Sequence, residues 1–85
     1  MIPLYVISLR NEYNQNLETI DELINDNELL ERRHRVVARK TQSQWFFTAD
    51  RIHSRMRENR LKVISLRSRN VFLDACINIM CEEND

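Results

Sequence analysis

Two textures of hydrophobic and polar positions run along the chain. Leu4-Tyr5-Val6-Ile7-Ser8-Leu9 is a short apolar run rich in β-formers, the kind expected of a strand covered on both faces. Leu61-Lys62-Val63-Ile64-Ser65-Leu66-Arg67 nearly repeats it, so the pattern L-x-V-I-S-L-R occurs at 4–10 and again at 61–67. Arg35-Val36-Val37-Ala38-Arg39 is a third, shorter strand candidate flanked by charge. Val71, Leu73, Ala75, Ile77 and Ile79 then alternate strictly with Phe72, Asp74, Cys76, Asn78 and Met80. Period two predicts a strand there, although a helix with Phe72, Ala75, Cys76 and Ile79 on one side uses the same residues.

The other texture is helical. Tyr13, Leu17, Ile20 and Ile24 step by four, three and four, and so do Trp45, Ala49, Ile52 and Met56. At about 100° per residue each set keeps within one stripe, so each helix is expected to lay one side on a sheet. Breaks are expected at Asn11, Asn25-Asp26-Asn27, Asn59 and Asn70, because asparagine tolerates the left-handed conformation that closes helices. The resulting order is β (3–9), α (12–26), β (33–39), α (42–58), β (60–66), β (70–80). It predicts an α+β domain in two layers, a β-α-β-α-β-β sandwich with both helices on one face of a four-stranded mixed sheet. The first crossovers would be right-handed, and the turn Arg67-Ser68-Arg69-Asn70 would join an antiparallel hairpin. The chain has no glycine and one proline, Pro3, which keeps an all-α helical bundle as the alternative.

At 85 residues the chain holds a single small domain, residues 1–85, whose core is modest for its surface. A 42% hydrophobic and 31% charged composition is that of a globular protein. No apolar run approaches the roughly 20 residues of a membrane span. The opening run is too short for a signal peptide and has no basic residues before it, so an intracellular domain is expected. Two cysteines, Cys76 and Cys81, fit that compartment as reduced thiols. Their spacing is not C-x-x-C and both histidines, His34 and His53, lie far from them, which argues against a zinc site. No metal or cofactor is expected.

The formal net charge of zero hides a strong asymmetry. Residues 1–31 hold Arg10 alone against seven carboxylates, whereas residues 32–69 hold twelve cations against only Asp50 and Glu58. Ten of those twelve are arginine, whose planar fork matches phosphate oxygens and stacks on bases. Neutralisation of the basic middle by the acidic first third is the competing use of these charges.

The element order, over essentially the whole chain, resembles the Alba superfamily, which includes archaeal chromatin proteins and the Alba-type subunits of RNase P and MRP. The C-terminal domain of translation initiation factor 3 has a similar layout. The resemblance implies nucleic-acid contacts after the first strand and at the end of the second, positions that carry Arg10-Asn11 and Arg39-Lys40-Thr41 here. It also implies pairing with a second copy or a related chain. The opening residues 2–10 are similar to the first strand of some lipopolysaccharide glycosyltransferases, but the chain has no D-x-D motif to hold a nucleotide sugar.

Candidate contacts follow from these placements. Arg39 and Lys40 sit where a helix N-terminus would add its own attraction for phosphate. Arg32, Arg33 and Arg35 bracket the same strand, with Glu28 and Glu31 as rival partners. Arg51 and Arg55, four apart, share a helix face, and Arg67 and Arg69 occupy the last turn. Trp45 belongs to the core stripe. Phe47 lies nearly opposite it, placed to stack on an unpaired base or to meet a partner subunit. Neither histidine has a serine and an acid at a triad spacing, so no enzyme is expected. The leading expectation is a non-catalytic nucleic-acid-binding protein, for RNA rather than sequence-specific DNA. The second is a protein–protein module that forms a homo- or heterodimer, the acidic helix of one chain meeting the arginine-rich segment of another.

Overall fold

A computed structural model describes residues 2–40 and 44–83. They form two helices, α1 (Leu4–Ala38) and α2 (Gln44–Glu83), folded side by side as a rod with extents of 64 × 14 × 14 Å. The described residues contain no strand, so the four-stranded sheet, the α+β sandwich and the Alba-type fold are all overturned. The all-helical alternative is the architecture found, in its simplest form of a hairpin. Residues 41–43, where sequence placed Thr41 and the start of the second helix, lie outside the described residues.

The seam explains the hairpin. Val6, Leu9, Tyr13, Asn16, Ile20, Leu23, Asn27, Leu30, His34 and Val37 follow at alternating spacings of three and four, and each is buried or half-buried. On α2 the same spacing links Trp45, Ala49, Ile52, Met56, Asn59, Val63, Leu66, Asn70, Leu73, Ile77 and Met80. This is the heptad signature of a left-handed coiled coil, in which two inward positions per seven residues interleave with the facing helix. Leu73 is fully shielded and Val6 nearly so. Each buried aliphatic side chain is worth about 1.5–3 kcal/mol, which exceeds the few tenths that β-branched residues such as Val36, Val37, Val63 and Ile64 cost in a helix.

Two polar layers interrupt this apolar seam and lock its alignment. Asn16 Nδ2 donates to Asn70 Oδ1 at 2.9 Å, and Asn70 Nδ2 donates to the Tyr13 carbonyl at 3.2 Å. Further along, Asn59 Nδ2 donates to Asn27 Oδ1 and to Asp26 Oδ2, both at 2.8 Å, while Asn27 Nδ2 reaches the Met56 carbonyl at 3.2 Å. The advance from Asn16 to Asn27 on α1 equals the retreat from Asn70 to Asn59 on α2, so the helices are antiparallel in one continuous register. Among the described residues every buried side-chain nitrogen or oxygen has a partner. Asparagine at a seam position specifies alignment because a slipped register would leave its amide unpaired in an apolar layer.

Each departure from the sequence reading has a physical cause. The repeated L-x-V-I-S-L-R segments are not paired strands. They are two helical segments in the same heptad phase, with Val6 and Leu9, and again Val63 and Leu66, turned into the seam. The alternation over 70–80 arises because α2 carries apolar residues on two opposite sides, Leu73 inward and Val71, Phe72 and Ile79 outward. Segment 33–39 is the last turn of α1, closed by Arg39 at φ −79° and by the Lys40 N–H on the Val37 carbonyl at 3.0 Å. None of the expected asparagine breaks occurs, and among the described residues no backbone φ is positive. Pro3 opens α1, its carbonyl accepting from the N–H groups of Val6 and Ile7 at 3.1 and 3.3 Å.

Candidate interaction surfaces

Folding α1 back along α2 sorts the charges by length along the rod. The acidic part of α1 lies beside the middle of α2, and three candidate arginines are engaged by carboxylates, two across the hairpin and one within α1. Arg69 Nε donates to Glu12 Oε1 at 3.0 Å, Arg55 Nε lies 3.3 Å from Asp26 Oδ2, and Arg35 Nη2 bonds Glu31 Oε1 at 2.9 Å. The hydrogen bond to Glu12 holds the Arg69 guanidinium above its already high ordinary pKa. All three pairs are solvent-exposed to a large degree, so each contributes only about 0–1 kcal/mol. Their effect is to cancel charge. Arg10, toward the open end, donates to Cys81 Sγ at 3.4 Å, two residues along α1 from the Glu12 that holds Arg69.

Most of the cations gather toward the closed end of the hairpin. Residues 32–57 contain eight cations (Arg32, Arg33, Arg35, Arg39, Lys40, Arg51, Arg55, Arg57) and one carboxylate, Asp50. Arg33, Arg51 and Arg55, with Leu30, Thr48 and Ile52, line a shallow recess of about 320 Å³. Beyond it Lys40 Nζ sits 4.0 Å over the half-buried Trp45 ring, and the His34 and His53 rings meet edge to face at 4.3 Å. Phe46 and Phe47 are 73% and 72% exposed, their rings 6.3 Å apart and nearly perpendicular. Phe47 therefore faces outward as expected, with Phe46 beside it. Arg32, Arg39, Lys40 and Arg51 are exposed on the same end.

Sequence reading missed a second surface. A coiled-coil hairpin normally keeps its outward positions polar, and α1 does so from Asn11 to Glu28 with Asn11, Asn14, Gln15, Glu18, Asp21, Glu22, Asn25 and Glu28, although Ile7, Leu29 and Val36 lie outward beyond them. On α2 the outward positions from Leu61 to Ile79 are Leu61, Ile64, Ser65, Ser68, Val71, Phe72, Ala75, Asn78 and Ile79, without a charge. All of them are exposed. Next to this stripe, Leu17 and Ile24 of α1 and Val71 of α2 border an open groove of about 470 Å³ that Asp21, Arg67 and Asp74 share. Arg67 is thus placed at the edge of an apolar surface rather than in a basic turn. The helical alternative for 71–80, with Phe72, Ala75, Cys76 and Ile79 on one side, contained the signal.

Among the described residues no helix is long and apolar enough to cross a membrane. No protein-family description, curated protein or solved structure matches the chain.

Proposed function

We propose that this chain is a non-catalytic assembly module, a coiled-coil hairpin that docks the outward face of α2 on another helix. The observation that carries this reading is the uncharged stripe from Leu61 to Ile79, on the side of α2 opposite the intramolecular seam. Six of its nine positions are exposed apolar side chains, a cost in water unless a partner covers them. Helical spacing makes another amphipathic helix the shape that fits. Ile64→Lys and Phe72→Lys test it. Both side chains are more than half exposed, so each variant is expected to keep its melting temperature within a few degrees, as surface substitutions do, while losing association. A fall in melting temperature as large as that of a seam truncation would show the stripe to be folded core and would end the proposal.

A second reading belongs to the closed end. Arg33 and Arg51 at one recess, with Arg55 beside them held by Asp26 and with Phe46 and Phe47 exposed beyond, suit a single-stranded nucleic acid, phosphates on the arginines and bases on the rings. For a single-stranded RNA oligomer, log affinity is expected to fall linearly with log salt, by about 0.7 per phosphate neutralised. Arg33→Gln and Arg51→Gln are each expected to make that slope shallower by roughly one contact. Binding indifferent to salt, or to both substitutions, would remove the nucleic acid from the account.

A further inference from the structure

Resting on the assembly reading, we infer that the helix covering the α2 stripe is α2 of a second copy of this chain, laid antiparallel to the first. The argument is charge complementarity along the stripe. Its N-terminal end is bordered by Arg57 and Arg60, which outnumber the single Glu58 between them, and its C-terminal end by Asp74 and Glu82. A parallel pair would set Arg57 on Arg57, Arg60 on Arg60 and Asp74 on Asp74. An antiparallel pair sets cations on carboxylates at both ends, twice over by symmetry.

One alignment satisfies the charges and the packing together. When Arg57 of one copy lies opposite Glu82 of the other, coiled-coil spacing brings Ile64 against Ala75 and Ser68 against Val71. The same alignment puts Phe72 against Phe72 on one flank of the contact and Arg60 against Asp74 on the other. Ile64 thereby meets the small Ala75, Leu61 meets Asn78, and Ser68 lets the two helices approach near the two-fold axis. Arg67 would face its own copy close to that axis. Asp21 and Asp74 border the same groove and offset the approach of the two guanidinium groups. Leu17 and Ile24, exposed or half-buried on that side of α1, extend the apolar contact beyond α2.

Sedimentation equilibrium of the full chain across the micromolar range reads the outcome, with helix content followed by circular dichroism. The expected result is a reversible dimer. Val71→Asp combined with Phe72→Asp is expected to weaken it by about a hundredfold or more while the helical signal persists, since both residues lie outside the intramolecular seam. Arg57→Glu and Glu82→Arg are each expected to loosen the dimer about fivefold, and the double reversal to restore it to within about twofold. A folded chain that stays monomeric throughout overturns the second copy while the stripe stays open to a different helix. A dimer untouched by the two aspartates overturns the α2 face itself, and the assembly reading with it. A double reversal that fails to restore affinity overturns the antiparallel order.

Discussion

Leu73→Ala is expected to cost about 3 kcal/mol, within the 2–5 kcal/mol range for emptying a filled apolar site. Leu73 is fully shielded at the α1–α2 seam, so its removal takes the layer's main contribution and leaves a void that a narrow two-helix contact closes poorly. For a domain of this size about 4–8 °C of melting temperature accompanies each kcal/mol, so a drop on the order of 15 °C is expected in a thermal dichroism scan. Leu29→Ala, on the outward side of α1 and 62% exposed, is expected to change stability by less than about 0.5 kcal/mol. Equal losses for the two variants would contradict the heptad assignment.

The asparagine layer at Asn16 and Asn70 gives a prediction with opposite signs. Asn70→Leu alone removes the acceptor of Asn16 Nδ2 and leaves a polar amide facing leucine, at a cost of about 1–3 kcal/mol. Asn16→Leu with Asn70→Leu replaces the whole layer by an apolar one and is expected to raise stability by about 1–4 kcal/mol. Thermal denaturation of wild type, single and double variants reads both. The double variant keeps only the Asn27–Asn59 layer to define alignment, so amide spectra with more than one set of resonances are expected to accompany its higher melting temperature. A single variant more stable than wild type would mean that the layer does not restrict register.

Part of this fold was legible in the sequence. Trp45, Ala49, Ile52 and Met56 form a stripe in the sequence and lie on the seam in the structure. On α1 the apolar spacing runs through Leu17 and Ile24, which border the seam, because the inward positions Asn16 and Asn27 are polar and a purely apolar pattern passes over them. Heptads that admit asparagine would have recovered both helices. The strands at 3–9 and 60–66 failed for a different reason. A run with inward and outward apolar residues on one helix looks the same as a strand covered on both faces, and only the identical phase of the two copies distinguishes them. The candidate site was legible as composition but not as geometry. Twelve cations between residues 32 and 69 suggested one basic surface, yet the hairpin sets Arg69 against Glu12 and Arg55 against Asp26. What survives is the group near Arg33 and Arg51, together with the aromatic pair.

Gathering cations at one end of a rod 64 Å long, with carboxylates in excess over the remainder, gives an electrically neutral molecule a large dipole moment along its axis. A charged surface or polymer would therefore turn the molecule before touching it, drawing one end forward, at distances limited by the roughly 8 Å screening length of physiological salt. Two such rods lying head to tail would cancel each other's moments. Dielectric relaxation at low ionic strength can thus tell an isolated rod from an opposed pair without any label.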